Sequence, residues 1–194
     1  TEAERNYQGL VIWNTDAAEG GAFSAGADLQ AMLPLFMSGG VDALEPIVAQ
    51  LQQAHLSMKY ANVPVVAAVA GLALGGGCEL LMHASRRVAC LESYIGLVEV
   101  GVGLVPAGGG LKEAALRAAA EARGNDLLQF LKNYFLNAAM ANVAKSAYEA
   151  QQMGYLSASD IIVLNPYELL HVAKVEARAM YEAGYRPPQR KRVP

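Results

Sequence analysis

Short runs of apolar residues alternate along the chain with longer segments in which apolar residues recur at helical spacing. The runs are typical of buried strands in a sheet covered by helices, and they lie at Gly9–Trp13, Val63–Ala70, Arg87–Leu91 and Asp160–Leu164. The helical spacing predicts helices over Leu29–Phe36, Asp42–Tyr60, Cys78–Ser85, Leu111–Arg123, Asp126–Met140, Ala144–Met153 and from Asn165 to about Ala183. Strands that alternate with helices indicate an α/β fold, with a helical C-terminal part over about 111–184.

Helix-capping residues support several of these boundaries. Asp28 is a suitable N-cap for the helix that starts at Leu29. The sequence Asn165-Pro-Tyr-Glu168 combines an N-cap, a proline at the first helical position and a glutamate in the capping-box position. Because no internal repeat or linker interrupts the pattern, one domain over 1–194 is the simplest organisation.

Two glycine-rich loops follow predicted strands and lead into predicted helices. They are Gly20-Gly-Ala-Phe-Ser-Ala-Gly-Ala-Asp28 and Gly71-Leu-Ala-Leu-Gly-Gly-Gly-Cys-Glu79. Glycine lets backbone approach a ligand closely, and the first amides of a helix lack intrahelical partners. Two such N–H groups aimed at one point would form an oxyanion hole for a carbonyl that becomes an enolate; alternatively, both loops are only tight turns.

Two carboxylates are candidates for acid–base chemistry. Glu79 lies in the first turn of a helix beside the glycine triplet, where it could equally serve only to complement the helix dipole. Glu99 lies among valines, a leucine and glycines, an environment that would raise its pKa towards working pH; otherwise it is an acid in a surface loop. A pair of such groups could hold one water molecule and transfer protons.

Other chemistries lack the residues they need. No phosphate-binding glycine motif and no serine nucleophile motif occurs, so NAD or ATP binding by this chain is not expected. His83 follows Glu79 by four residues, but further ligands for a metal are missing, and His55 and His171 fit packing or surface positions better. Cys78, which has no partner base, is expected to be a small buried thiol.

Composition narrows the class of protein further. The 194 residues are 54% hydrophobic and 17% charged, which excludes a disordered chain or a solvated coiled coil. The net charge of −3 gives no reason to expect nucleic-acid binding. Two cysteines are too few for a disulfide framework, so a reducing cytoplasmic location is expected.

Two segments need a separate interpretation. Tyr60–Cys78 carries no formal charge over a length that could span a membrane, but a proline and four glycines favour a strand, a turn and a helix start, so no membrane span is expected. The basic, proline-rich end from Arg186 to Pro194 resembles a linker or solvated terminus more than a nucleic-acid-binding arm.

Taken together, four segments resemble the crotonase (enoyl-CoA hydratase/isomerase) superfamily in order and spacing. They are Ala22-Phe-Ser-Ala-Gly-Ala-Asp28, Pro64-Val-Val-Ala-Ala-Val-Ala-Gly-Leu-Ala-Leu-Gly-Gly-Gly-Cys-Glu-Leu80, Gly96-Leu-Val-Glu99 and Pro106-Ala-Gly-Gly-Gly110. The resemblance covers roughly residues 8–184 and is strongest to the hydratase part of bifunctional 3-hydroxyacyl-CoA dehydrogenase/enoyl-CoA hydratase proteins. About twenty residues precede the first loop, fewer than in that family, which suggests an N-terminally truncated piece of a longer polypeptide.

The resemblance implies a β–β–α spiral core and a role for each motif residue. The backbone N–H groups of Ala27 and Gly76 would form the oxyanion hole for the thioester oxygen, and Glu79 and Glu99 would be the catalytic glutamates. Residues Ala25, Ala27, Asp28, Leu29 and Gly76 would bind substrate. Gly21 stands where many relatives carry a lysine near the nucleotide phosphate.

The implied activity is the addition of water to 2-enoyl-CoA thioesters in fatty-acid β-oxidation. A Δ3-Δ2 enoyl-CoA isomerase and a non-catalytic acyl-CoA-binding or assembly module are the alternatives. The resemblance also implies no tightly bound cofactor, since coenzyme A belongs to the substrate. It implies a homotrimer or hexamer, with a possible upstream NAD-dependent dehydrogenase domain in the same polypeptide.

Overall fold

The computed structural model describes residues 2–190 and consists of seven α-helices and six strands in that range, with three short 3₁₀ segments. The helices are α1 (Glu2–Asn6), α2 (Leu29–Lys59), α3 (Gly76–His83), α4 (Gly110–Ala122), α5 (Leu127–Ala139), α6 (Ala147–Gln152) and α7 (Leu169–Glu182). The strands are β1 (Leu10–Trp13), β2 (Val65–Val69), β3 (Leu72–Leu74), β4 (Arg86–Cys90), β5 (Tyr94–Gly96) and β6 (Ile161–Val163). The last four residues of the basic C-terminal segment lie outside the described residues.

The strands form two parallel sheets, a large one in the order β1-β2-β4-β6 and a small one that pairs β3 with β5. Strand β2 is buried along its whole length, with Val66 and Ala68 facing α7 and Ala67 and Val69 facing the side of α3. Burial on both faces explains why this strand is continuously apolar in the sequence. The predicted α/β class is confirmed.

Three successive turns of chain repeat one path and build a spiral. Each turn runs from the large sheet to the small sheet and then to a helix: β2–β3–α3 in the second turn and β4–β5–α4 in the third. In the first turn β1 leads to Ser24, which bridges to Ala73 of β3, and then to α2. Ala73 in turn pairs with Ile95 of β5, so equivalent positions of the three turns lie side by side.

Helix α2 contains the two helical segments that the sequence predicts, and they are joined at a break. It is one element of 31 residues, but Gly40 within it has a left-handed φ of 63° and interrupts the helical backbone. Asp28 caps its start as predicted, since its Oδ1 accepts a hydrogen bond from the amide of Ala31. Among the described residues, α2 is the one helix that is long and apolar enough to cross a membrane. Core helices of soluble proteins can meet the same criterion of length and composition.

Two short strands were not predicted. Strands β3 and β5 fall in segments that the sequence predicts as a turn, Gly71–Gly77, and as a loop, Ser93–Gly110. Residues 60–78, considered above for their lack of charge, form β2, β3 and the start of α3. The small sheet is what brings the two glycine-rich loops into contact.

Candidate active site

The two glycine-rich loops meet where they leave the small sheet. Both backbone groups of Ser24 form hydrogen bonds with β3. Its amide donates to Leu72 O, and its carbonyl accepts from Leu74 N. The next residues of both loops therefore run together, and a Cβ placed on Gly76 would lie 3.8 Å from the amide nitrogen of Ala27. A Cβ on Gly26 would lie 3.0 Å from Leu74 O, so this close approach requires glycine.

The amides of Ala27 and Gly76 occupy equivalent positions, three residues after Ser24 and Ala73 in their turns. Gly76 is the first residue of α3, where a backbone N–H has no intrahelical acceptor. Within residues 2–190, neither amide has a recorded hydrogen-bond acceptor. The structure thus brings together the two donors that the sequence predicts, and an oxyanion hole stays the prediction for them.

Substrate-binding roles were also predicted for Ala25, Asp28 and Leu29, and all three residues are exposed at the mouth of this loop. Asp28 uses its side chain to cap α2. A side chain at Gly21, the position of the expected lysine, does not fit the present backbone, because its Cβ would lie 2.7 Å from Asp16 O. The substrate contacts of this loop stay predictions.

Glu79 is a buried carboxylate held by backbone amides. It lies one turn into α3 with 2% of its surface exposed, and its Oε2 and Oε1 accept hydrogen bonds from Gly108 N at 3.1 Å and Gly110 N at 2.8 Å. The pKa of Glu79 is raised to about 7, mainly by burial and also by the nearby Glu99, while the glycine amides oppose the rise. A carboxyl group with this pKa can accept and release a proton near neutrality.

Glu99 begins the 3₁₀ segment that follows β5, in the third turn of the spiral. Its Oε1 would lie 3.5 Å from a Cβ on Gly75, so its carboxyl group is beside the start of α3. Both carboxylate oxygens are buried and have no hydrogen-bond partner among the described residues. Burial raises the pKa of Glu99, although the backbone amides of Glu99 and Val98 oppose the rise.

Two histidines for which the sequence predicts no catalytic or metal-binding role lie close to Glu79. His83 and His55 are 1% and 3% exposed and stack with ring centroids 4.8 Å apart. His83 Nδ1 donates to Glu79 O at 2.6 Å, because a carbonyl can only accept, and its Nε2 accepts from Lys112 Nζ at 2.9 Å. Burial lowers the pKa of His83 to about 4, so the 3.4 Å approach of its Nε2 to Glu113 is not an ion pair at neutral pH.

A buried ion pair completes this region. Glu113 of α4 accepts from Lys59 at the end of α2, with both carboxylate oxygens 2.6 Å from Nζ. The lysine lowers the pKa of Glu113 although burial acts in the opposite direction. Behind these residues lies a cavity of about 660 Å³ that Glu113, His83 and Arg117 help to line.

Neither cysteine is placed for catalysis. Cys78 and Cys90 are buried free thiols, and burial raises the pKa of both. In the described part of the chain no group of three histidine, cysteine or acidic residues could hold a metal ion. The two glutamates and the backbone amides of the glycine-rich loops thus stay the candidates for chemistry at this site.

Sequence comparison matches this chain to known proteins. A family model described as enoyl-CoA hydratase/isomerase matches residues 2–115. A protein of Bacillus subtilis (strain 168) named probable 3-hydroxyacyl-CoA dehydrogenase is 40% identical over 192 residues, which is 99% of this chain and 24% of that protein. A protein of Rhizobium meliloti (strain 1021) named probable enoyl-CoA hydratase is 32% identical over 127 residues, 66% of this chain and 45% of that protein.

A solved structure supports the fold. The enoyl-CoA hydratase of Polaromonas sp. JS666 superposes with a TM-score of 0.72 at 23% identity, covering 92% of this chain and 62% of that one. This chain thus spans about a quarter of the Bacillus protein and less than two thirds of the solved hydratase.

Proposed function

Because this chain belongs to the enoyl-CoA hydratase/isomerase family, we propose that it adds water across the 2,3 double bond of 2-enoyl-CoA thioesters in fatty-acid β-oxidation. One observation carries the proposal. Two buried carboxyl groups with raised pKa meet at the start of α3, where Glu79 lies in the first turn, Glu99 lies beside Gly75, and the amides of Ala27 and Gly76 come together.

In the proposed reaction the thioester oxygen accepts hydrogen bonds from Ala27 N–H and Gly76 N–H. Glu79 takes a proton from water as its oxygen attacks C3, and the electron pair of the double bond moves to give an enolate-like thioester. Removing one donor from such a pair typically costs about 3–4 kcal/mol of transition-state stabilisation. Glu99 then gives its proton to C2, and the product is a 3-hydroxyacyl-CoA.

The two acids suit different steps. Glu79, with a pKa of about 7, is substantially ionised at neutral pH and can act as the base. Burial raises the pKa of Glu99 against the opposing effect of the backbone amides of Glu99 and Val98, and we assign this acid the delivery of the proton to C2. After one turnover Glu79 has gained a proton and Glu99 has lost one, so a proton must pass from Glu79 to Glu99 before the next turnover.

The test is hydration of crotonyl-CoA, followed as the loss of the ultraviolet absorbance of the conjugated thioester. We expect turnover by the wild type and a loss of roughly 10²–10⁴-fold in Glu79→Gln and Glu99→Gln. Glu92→Gln, which changes an exposed acid seven residues before Glu99, is the matched control and retains activity. Migration of a 3-enoyl double bond without hydration would favour the isomerase, and acyl-CoA binding without turnover would favour a binding module.

We propose that a dehydrogenase domain in the same polypeptide, upstream of this chain, uses the product. The Bacillus relative carries a dehydrogenase name and is about four times as long as this chain. Chemically, a 3-hydroxyacyl-CoA is what an NAD-dependent 3-hydroxyacyl-CoA dehydrogenase oxidises. From the small number of cysteines we also propose a cytoplasmic location, and because coenzyme A is part of the substrate, we propose that this domain has no tightly bound cofactor.

We also propose that the chain assembles as a trimer or hexamer. Several large apolar side chains after the site are exposed, among them Val105 at 62%, Phe135 at 63% and Met140 at 70%. Exposed apolar side chains in such numbers favour an association surface. Light scattering of the purified chain should give three or six times 20.5 kDa, and a monomer would contradict this proposal.

A further inference from the structure

The loop that holds the Glu79 carboxylate is itself held by one face of α2. Gln52, His55 and Lys59 are spaced so that they lie on the same side of that helix. Gln52 Nε2 donates to Ala107 O at 2.7 Å, and His55 Nδ1 donates to Gly108 O at 2.8 Å. Lys59 reaches Glu113 in the helix that follows the loop.

The geometry of the peptide bond connects these contacts to Glu79. In a trans peptide the C=O and the N–H of the following residue point in opposite directions. The carbonyl of Ala107 is bound by Gln52, and the N–H of the same peptide, that of Gly108, donates to Glu79 Oε2. Gln52 thus fixes, from the far side, the orientation of a donor to the carboxylate.

The next two peptide groups are held in the same way. His55 binds Gly108 O, so the Gly109 N–H of that peptide faces the Glu79 side, where its hydrogen bonding lowers the pKa of the carboxyl group. Gly109 O accepts from the amide of Glu113 in α4, and the N–H of that third peptide, of Gly110, donates to Glu79 Oε1. Three consecutive peptide dipoles are therefore aimed at one carboxylate.

Only glycine allows this approach. A Cβ on Gly108 would overlap Glu79 Oε2, and one on Gly110 would lie 3.1 Å from Oε1. Gly109 has a φ of 118°, and its Cβ would lie 2.8 Å from His83 Nε2. A run of glycines is flexible when it is not held, so the orientation of these amides depends on the groups that bind their carbonyls.

We propose that Gln52 and His55 are positioning residues for Glu79, acting through the peptide groups Ala107–Gly108 and Gly108–Gly109. This role rests on the proposed hydration, in which Glu79 is the base. Neither side chain has a contact with the Glu79 carboxylate among the described residues; each determines where a donor to it points.

The charged and titratable groups around Glu79 come from three further directions. Glu99 approaches from the 3₁₀ segment after β5, His83 lies on α3 itself, and Lys112 and Glu113 lie on α4. None of them is changed by a substitution at Gln52. An altered titration of Glu79 in such a variant would therefore report on the glycine amides.

The first test replaces Gln52, which is exposed, by methionine, a side chain of similar length that cannot donate a hydrogen bond. Gln53→Met is the matched control, since Gln53 is also exposed and makes no hydrogen bond to the loop in the described structure. We expect kcat of Gln52→Met for crotonyl-CoA to fall roughly three- to tenfold with KM nearly unchanged. This fall corresponds to the loss of one ordinary hydrogen bond. The control should match the wild type.

The second readout does not depend on activity. In the full chain labelled with ¹³C at the glutamate carboxyl, the Glu79 signal is assigned by its absence from Glu79→Gln. We expect its pKa to rise by roughly half a unit in Gln52→Met, because a donor to the charged form is weakened, and to stay constant in Gln53→Met. Identical titration in the two variants would overturn the inference. If the wild type hydrates nothing, the proposed function fails, and this titration still decides the positioning role.

A pair of variants addresses His55. Asparagine places an amide N–H near the position of Nδ1, whereas leucine has nearly the same shape without a donor. His55→Asn should retain kcat within about threefold, and His55→Leu should lose at least as much as Gln52→Met. Equal loss in both would contradict a role for the hydrogen bond to Gly108 O. If the buried position does not tolerate either change, the Gln52 titration carries the decision.

Discussion

Replacing Gly108 by alanine should displace the carboxylate of Glu79 while leaving the fold intact. The added Cβ would overlap Oε2 and lie 3.0 Å from Cδ of Glu79, with Leu51 Cδ2 also at 3.0 Å. Both neighbours are ends of flexible side chains, so they can withdraw without moving backbone. To reach ordinary van der Waals contact the carboxylate must retreat by roughly 1 Å.

A displacement of this size has a predictable effect on catalysis. A misplacement of about 1 Å in a catalytic group can cost on the order of 10²-fold in rate, so kcat for crotonyl-CoA hydration should fall about a hundredfold. The free energy of unfolding in urea should change by no more than about 1 kcal/mol. Gly101→Ala is the control, because its Cβ would meet its nearest neighbour, Ala141 Cβ, at 4.0 Å. A Gly108→Ala enzyme with wild-type kcat would refute the assignment of Glu79 as the base.

Three further substitutions test the buried polar groups. Glu99→Gln should raise the urea midpoint at pH 8, because a carboxylate without a hydrogen-bond partner is costly to bury; an unchanged or lower midpoint would count against it. Asp160→Ala should cost roughly 3–5 kcal/mol in urea unfolding, because it leaves the buried Arg87 guanidinium without the 2.6 Å partner, and a loss below about 1 kcal/mol would disprove this. The pKa of His83 falls from 6.5 to about 4 on folding, so the unfolded state binds more protons in that window, and stability should fall by on the order of 3 kcal/mol as pH drops from 6.5 to 4. Comparison with His83→Asn isolates this contribution, and equal pH dependence of the two proteins would exclude it.

The sequence predicts the parts of the site that carry a local signal. The glycine triplet before Glu79 and the second acid twenty residues later were recognisable because each requires a particular residue type at a fixed spacing. The helix start at Asn165 was recognisable for the same reason: its side chain accepts from Tyr167 N, and a 3₁₀ turn leads into α7. The α/β class and the family resemblance followed from such patterns.

The support behind Glu79 could not be predicted in this way. Gln52 and His55 act on carbonyl groups more than fifty residues away, and a carbonyl group has no signature in a sequence. The sequence predicts a packing or surface position for His55 and no metal site at His83, and neither prediction includes the hydrogen bonds that these side chains make. The sequence does contain one signal, the run Gly108-Gly-Gly110. Three consecutive glycines indicate a backbone that other groups approach too closely for side chains.

The break at Gly40 gives the two halves of α2 separate tasks. The first half starts at the cap on Asp28, next to the loop expected to receive the substrate, and it carries exposed side chains such as Phe36. The second half ends at the contacts of Gln52 and Lys59 with the loop and helix around Glu79. A substitution before the break can consequently alter the exposed first half of α2 without disturbing the contacts that the second half makes around Glu79.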